Sequence, residues 1–273
     1  MEEIDFTIIT PSYNYVDFIR EMLESVIAQT DVTYEHLVYD AGSTDGTLDV
    51  IREFDHVQLT VEPDKGMSDA INKGFKAAKG TWVMWLNTDD KLLPGALSAV
   101  KEFASQNPAA DVIHGAWDFI DALGKHLQTM QAVPFQRLTM IHNGCYIAST
   151  ATFIRRETVL DEGNLLNERF KCVMDGEYYV RLSTEGKKFV NFPKVLAQFR
   201  LHGNNISMRH RRKSNMEDAL TFQLHCAESR AIKRVYTYNF FKTEYPNGVV
   251  DCILHYFFRS IKVVMKLCNP PKR

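Results

Sequence analysis

Residues 5–29 read DFTIITPSYNYVDFIREMLESVIAQ. The run up to Thr10 is rich in β-branched and aromatic residues and reads as a buried strand that ends at Pro11. After a polar turn, apolar groups recur at Phe18, Ile19, Met22, Leu23, Val26 and Ile27, which is helical spacing. The unit is therefore strand, polar turn, helix.

Working outward, the unit repeats. HLVYDAG at 36–42 is a second strand, and Ser43 to Asp45 are placed to cap a helix carrying Leu48, Val50 and Ile51. VQLTVEP is a third strand. SDAINKGFKAAKG at 68–80 is a helix closed by Gly80, and TWVMWLNTDD is a fourth strand that runs into acids. Strands alternating with helices imply parallel βαβ units. Ligands of such sheets bind beyond the carboxyl ends of the strands. The polar clusters sit at those ends: Pro11 to Asn14, Asp40 to Asp45, Glu62 to Gly66, and Asn87 to Asp90.

Past residue 110 the pattern is looser. DVIHGAWDFID reads as a strand and hairpin at a sheet edge, and residues 146–156 alternate like another strand. Residues 175–186 read as a helix, KKFVNFPKVLAQFRLH as two short strands, and the chain from about 211 as mainly helical. The expected class is α/β, with a Rossmann-like, mixed but mostly parallel sheet flanked by helices and a C-terminal helical extension.

The 273 residues suffice for one large domain, or one with an appendage. Apolar residues at 45% and charged residues at 24% are ordinary for a globular protein and argue against disorder. Glu2, Glu3 and Asp5 open the chain without a basic region and apolar core, so a cytoplasmic protein is expected. No stretch approaches the roughly 20 apolar residues of a membrane span. The five cysteines (Cys145, Cys172, Cys226, Cys252, Cys268) are odd in number and widely spaced, which favours reduced thiols over disulfides or zinc.

Charge is unevenly spread. From Arg200 onward there are 14 Lys and Arg against 5 Asp and Glu, while the whole chain has 32 against 34. At 249–268, Asp251, His255, Arg259, Lys262 and Lys266 fall on one helical face, opposite an aromatic-rich apolar one. That face suits peripheral contact with an anionic membrane, and equally a helix packed on the body or on a dimer partner. No nucleic-acid motif accompanies the basic residues.

The clusters carry specific chemistry. NTDD at 87–90 places acids at an open strand end, where Mg²⁺ or Mn²⁺ could neutralise a diphosphate leaving group; a capped turn before Pro94 is the alternative. Asp40 ends a strand and could accept the imide N–H of a uracil, while Gly42 and Gly46 let backbone approach a ligand. Ser43 reads as a helix cap. Asp64 could hold base or ribose, Lys65 could meet phosphate, and Asp69 and Asn72 lie one turn apart where both could face a sugar.

TPSYN, DAGSTDGT, EPDKGMSDAINKG and WLNTDD, in that order over residues 4–100, resemble the family 2 glycosyltransferases with the GT-A fold. The likeness continues more weakly through TATFIRRE, MDGEYYVRL and FRLHGNNIS to about residue 207. It implies an inverting transferase of bacterial surface-polysaccharide type, moving a sugar from a UDP-sugar to a glycan or lipid-linked acceptor. Residues 1–110 would form the nucleotide-sugar half, 111–207 the acceptor half, and 208–273 the extension. Pro11 and Tyr13 would line the base pocket, with Tyr13 stacking and Asp40 and Asp64 binding the base. Asp89 matches the second acid of the family's DxD motif and would ligate the metal; Asn87 stands where the first acid is usual. Asp90 would contact the sugar. Asp175 aligns with the catalytic base, with Glu177 as its rival and a helix N-cap as its structural alternative. Arg200 would lie near the diphosphate, and His202 could complete the metal shell. Two other readings stand beside this one. A sugar nucleotidyltransferase would need a glycine-rich basic loop after the first strand, which TPSYNYVDF lacks. A catalytically inactive scaffold of the same fold would not need the Asp40, Asp64, Asp89 and Asp175 set.

Overall fold

The computed structural model describes residues 4–160 and 164–203, together with 205, 217 and 221. Four parallel strands come first: β1 (Phe6–Ser12), β2 (Tyr34–Asp40), β3 (Val57–Val61) and β4 (Trp82–Trp85), in the order β3-β2-β1-β4. Their crossovers contain α1 (Val16–Ile27), α2 (Thr47–Ile51) and α3 (Met67–Ala77). The chain then forms β5 (Lys91–Leu92), α4 (Ala96–Gln106), β6 (Val112–Asp121), β7 (His126–Met130), α5 (Arg137–Asn143), β8 (Thr152–Arg155), α6 (Arg156–Leu160), α7 (Met174–Thr184) and β9 (Phe189–Leu201). Antiparallel β8 joins β4 to β6, β9 runs parallel to β6, and β5 closes the row, with β7 paired to β6. The mixed, mostly parallel α/β class expected from the sequence is what the chain forms.

Alternation along β1 divides the core. Phe6 and Ile8 face the buried stripe of α1, made of Ile19, Met22, Leu23 and Val26. Ile9 faces Ile71 and Phe75 of α3 and, beyond them, Tyr178 and Tyr179 of α7. Each buried side chain of this size contributes about 1.5–3 kcal/mol, so the helices are held by their mid-sections. Polar loops follow the carboxyl ends of these strands.

Several local expectations are corrected. Strand β1 continues past Pro11 to Ser12. Ile9 O accepts from Leu86 N on the β4 side, and Pro11, two residues on, turns its missing N–H to that side, where the β4 pairing has ended. Gly80 does not close α3, whose C-cap is Ala78. A Cβ on Gly80 would lie 2.4 Å from the backbone of Phe6 and Thr7, so close approach to β1 requires glycine there. β6 is not an edge strand: β8, β9 and β7 all pair with it. Residues 146–156 contain only the four-residue β8, after a 3₁₀ turn at Ser149–Ala151. The two strands expected over 187–202 are one, β9, with its register to β6 broken between Phe192 and Val195. Pro193 lies in that break, where a residue without an N–H costs no ladder bond. The division at 110 and 207 and the extension remain readings of the sequence; residues 249–268 lie outside the described residues.

Candidate active site

The carboxyl ends of β1, β2, β3 and β4 meet where the strand order departs from β1 in both directions. Beyond β1, Asn14 adopts φ +55°, its N–H donates to Ser43 Oγ at 2.8 Å, and its side-chain oxygen accepts from Thr44 N at 2.9 Å. Tyr15 N and Val16 N donate to Thr47 Oγ1 and Asp45 Oδ2. The loops after β1 and β2 are thus laced into one wall. Tyr13, at 59% exposure, stands out from it as an available ring face, and Pro11 is buried at its base.

Asp40 is 1% exposed. Its Oδ1 accepts from Gly42 N and Ser43 N, and its Oδ2 from Ser12 Oγ and Ser43 Oγ, at 2.6–2.9 Å. Four donors fill the acceptor sites of a carboxylate. Asp40 therefore shapes the loop and offers no spare acceptor to a base. Ser43 is likewise not a helix cap: α2 starts after Gly46, and the Ser43 hydroxyl bridges Asp40 and Asn14. Gly42 and Gly46, at φ +93° and +99°, supply the turns themselves.

Beyond β3, Asp64 Oδ1 accepts from Gly66 N at 2.7 Å and Asp69 Oδ2 from Lys65 N at 3.0 Å. That bond and Lys73, whose Nζ is 3.6 Å away, hold Asp69 below the usual carboxylate range. The Lys65 side chain is exposed beside them. Asn72 does not join this group. Its amide donates to Leu166 O at 2.9 Å and accepts from Leu166 N at 2.8 Å, a buried clasp on the loop before α7.

Beyond β4 lies the acidic turn. Asp89 Oδ2 accepts from Asn205 Nδ2 at 3.3 Å and lies 2.9 Å from His202 Nε2. The His202 ring packs on Phe18, centroids 4.8 Å apart. Asp90 is buried, with Oδ1 accepting from Arg200 N and Oδ2 from Asn87 Nδ2. Burial, then the neighbouring Asp89 charge, pushes its carboxyl upward. Arg200 is not at a diphosphate position. Its guanidinium is 0% exposed and donates to Asp89 O, Ala122 O and Glu21 Oε2 at 2.8–3.0 Å. It braces the acidic turn from behind.

A divalent cation fits what is left. Asn87 Oδ1 is a buried acceptor without a partner among the described residues, and it sits beside the acids. Asp89 brings a carboxylate, and His202 sets its orientation. Among the described residues, no three His, Cys, Asp or Glu side chains form a ready cage. Mg²⁺ or Mn²⁺ would take one or two oxygens here and the rest from a bound diphosphate and water.

Asp175 lies in the first turn of α7, but the N-cap is Val173, so the capping alternative fails. Burial pushes its carboxyl up to about 6, against hydrogen bonds from Gly176 N and the Cys145 thiol. Ser68, in the first turn of α3, donates to Phe170 O at 3.2 Å and touches Met174 Sδ at 2.9 Å, which ties α7 to the β3 loop. Glu177 is 2% exposed and paired with Arg181 at 3.1 Å. It is occupied in packing and has no access to an acceptor. The sequence reading gave no role to Ser12, Glu21, Cys145 and Asn205; no short-range pattern marks Glu21 and Cys145, because their partners are far away in the chain, whereas Ser12 lay in the quoted motif TPSYN. Asn205 did lie in a quoted motif, FRLHGNNIS. Cys145 and Cys172 are thiols not joined to each other. No helix among the described residues is long and apolar enough to cross a membrane.

Residues 7–161 match the family described as Glycosyl transferase family 2. A PGL/p-HBAD biosynthesis glycosyltransferase of Mycobacterium bovis is 30% identical over 182 residues, covering 64% of this chain and 68% of that protein. A putative teichuronic acid biosynthesis glycosyltransferase, TuaG of Bacillus subtilis, is 27% identical, covering 74% and 81%. Among solved structures, S. aureus TarS in complex with UDP-GlcNAc superposes with a TM-score of 0.66 at 19% identity, covering 90% of this chain and 75% of that one. A mannosyltransferase from Pyrobaculum calidifontis, in complex with GDP-Man and Mn²⁺, gives 0.61 at 14%, covering 99% and 82%. The two structures show a shared fold.

Proposed function

Since the chain belongs to the family 2 glycosyltransferases, we propose that it moves a sugar from a UDP-sugar to a hydroxyl of a glycan or lipid-linked acceptor, with inversion, in the building of an envelope polysaccharide. The observation that carries this is the gathering at one sheet end of the nucleotide-side loops, the Asp89 turn and the tie from Ser68 to α7, which bears Asp175. The names of the relatives support the polysaccharide class, and the UDP-GlcNAc held by one structural neighbour supports the donor class.

Tyr13 stacks on the base above Pro11, and the Asp40 loop bounds the pocket. Lys65 meets the phosphates, while Asp64 and Asp69 hold the loop that presents it. Asp89, with the amide oxygen of Asn87, would hold Mg²⁺ or Mn²⁺, which supplies positive charge to the departing diphosphate. Asp175 takes the proton of the acceptor hydroxyl as that oxygen bonds to the anomeric carbon. The bond from that carbon to the diphosphate breaks on the opposite face, and the nucleotide diphosphate leaves. Peripheral membrane contact through 249–268 would bring a lipid-linked acceptor within reach, from a cytoplasmic position.

Calorimetric titration with UDP, GDP, dTDP and CDP, each with Mn²⁺ and then EDTA, tests the donor side. Tight, metal-dependent binding of UDP alone is expected, and Asp89→Ala should abolish the metal effect. A folded protein that binds none of the four overturns the enzyme reading.

A further inference from the structure

Helix α7 has no side-chain cap of its own. Its amino end is met instead by a carboxylate from 44 residues away. Glu217 Oε1 accepts from Lys171 N at 2.9 Å, and Oε2 accepts from Lys171 N at 3.0 Å, Cys172 N at 2.8 Å and Val173 N at 3.1 Å. Three successive amides point at one buried carboxylate, 7% exposed for the whole residue. Backbone N–H groups in such a concavity, at the positive end of a helix, hold an anion firmly.

The same strap is pinned on its other side. Lys171 Nζ donates to Lys65 O at 2.6 Å, and Phe170 O accepts from Ser68 Oγ. Residues 170–173 therefore stand between the β3 loop, which would meet the donor phosphates, and Glu217. Asp175 follows two residues after the last amide that Glu217 holds.

We infer that Glu217 is a positioning residue for transfer: it fixes the strap and the first turn of α7, and so sets where the Asp175 carboxylate stands relative to the donor loop. This rests on the reading of Asp175 as the base. Without the Glu217 carboxylate, three successive amides lose that acceptor, while the ties to Lys65 and Ser68 and the core packing of Phe170 remain. The nucleotide wall, built from other loops, keeps its shape.

The full chain with Glu217→Gln, and separately Glu217→Ala, is the test. Readouts are calorimetric UDP affinity and release of nucleotide diphosphate from the donor in the presence of a glycan acceptor. Glutamine keeps the size but only one acceptor oxygen. The expectation is a kcat about tenfold lower for Gln and about a hundredfold lower for Ala, the scale of a base displaced by a fraction of its reach. UDP affinity should stay within about twofold, since phosphate contacts are untouched. A second signature separates positioning from bulk stability. Loosening the first turn of α7 lets water reach Asp175 and relieves the burial that raises its carboxyl, so with Cys145 and Tyr179 still facing it the acid limb of the kcat profile should move to lower pH. A folded Glu217→Gln with wild-type kcat and an unmoved limb overturns the inference, as does an equal loss of UDP affinity and kcat. Asp175→Asn in the same assay keeps the two readings apart. Full activity there removes the base assignment itself, whereas an inactive Asp175→Asn beside a fully active Glu217→Gln removes only the role of Glu217.

Discussion

At the scale of single residues, the same side-chain type serves opposite ends depending on its partners. Asp40 and Asp175 are both carboxylates in motifs that resemble a transferase, yet Asp40 is saturated by four donors and Asp175 is held mainly against desolvation. A carboxyl raised to about 6 is a usable base near neutral pH. Asp175→Asn should therefore lower transfer by about 10²–10⁴-fold while UDP affinity is kept. In the wild type, kcat should fall as pH drops through about 6, because the base must be ionised to accept the proton. A pH-rate profile with no acid limb in that region would remove Asp175 from the chemistry. Asn72 gives the converse case. Its amide holds both backbone groups of Leu166, so Asn72→Ala should cost about 1–3 kcal/mol of stability through stranded buried groups. Denaturant melts should register that loss, and titration should show UDP affinity unchanged; a weakened affinity with intact stability would return Asn72 to the sugar site.

At the scale of elements, β1 and β2 carry a buried pair whose effect is on stability. His36 lies in β2 with Nε2 2.9 Å from Thr10 Oγ1 and Nδ1 3.4 Å from His56 Nε2. Burial, then the neighbouring His56, lowers its pKa to about 3, and burial lowers His114 in β6 to about 4. A depressed folded-state pKa contributes stability that is present above the unfolded value of 6.5 and is lost as pH falls toward the folded value. Asp175 has the opposite sign: its contribution is full below 3.8 and disappears as pH rises through about 6. Asp90, also pushed upward by burial, shares the sign of Asp175, and His56, lowered by burial, shares that of the two histidines. Unfolding free energy from urea melts should drop by up to about 1.4 kcal/mol per pH unit for each such histidine as pH goes from 6.5 toward 4.5. His36→Asn should flatten that slope, and an unchanged slope would show that His36 is not its source. The elements themselves were legible where one periodicity ruled: β1 with α1, β2, β3 with α3, and β4. They were misread where a long-range contact decides. Gly80 looks like a helix stop but is a backbone contact with β1, and β6 looks like an edge until β8 and β9 return to it. Pro193 splits β9 in the sequence while the sheet carries it across as a bulge.

At the scale of the whole molecule, the legible half of the site is the half made by consecutive loops. Strand ends can be read in order, and topology then brings them together, so Pro11, Asp64, Lys65 and Asp89 fall at one sheet end without any knowledge of contacts. The return from β9 to the acidic turn is of another kind. Arg200 is placed near a diphosphate only by the family resemblance of FRLHGNNIS. Its burial and three acceptors are visible only once β9 is placed beside β6. Arg200 joins β9 to α1 through Glu21, to the β6–β7 turn through Ala122, and to the acidic turn through Asp89 O, while its plane covers Phe18 at 4.9 Å. Stretches far apart in the chain are held together at that point. Arg200→Met keeps much of the stem packing but strands two carbonyls and uncouples Glu21. That should cost about 1–3 kcal/mol for each stranded carbonyl, while Glu21, 45% exposed, keeps its pair with Lys91. Lysine in its place cannot reach three divergent acceptors with one ammonium, so Arg200→Lys should recover only part of the loss. Thermal melts of both variants check this. A ligand role for Arg200 predicts the reverse: near-native melting temperatures, with UDP affinity lost in the methionine variant and partly kept in the lysine one.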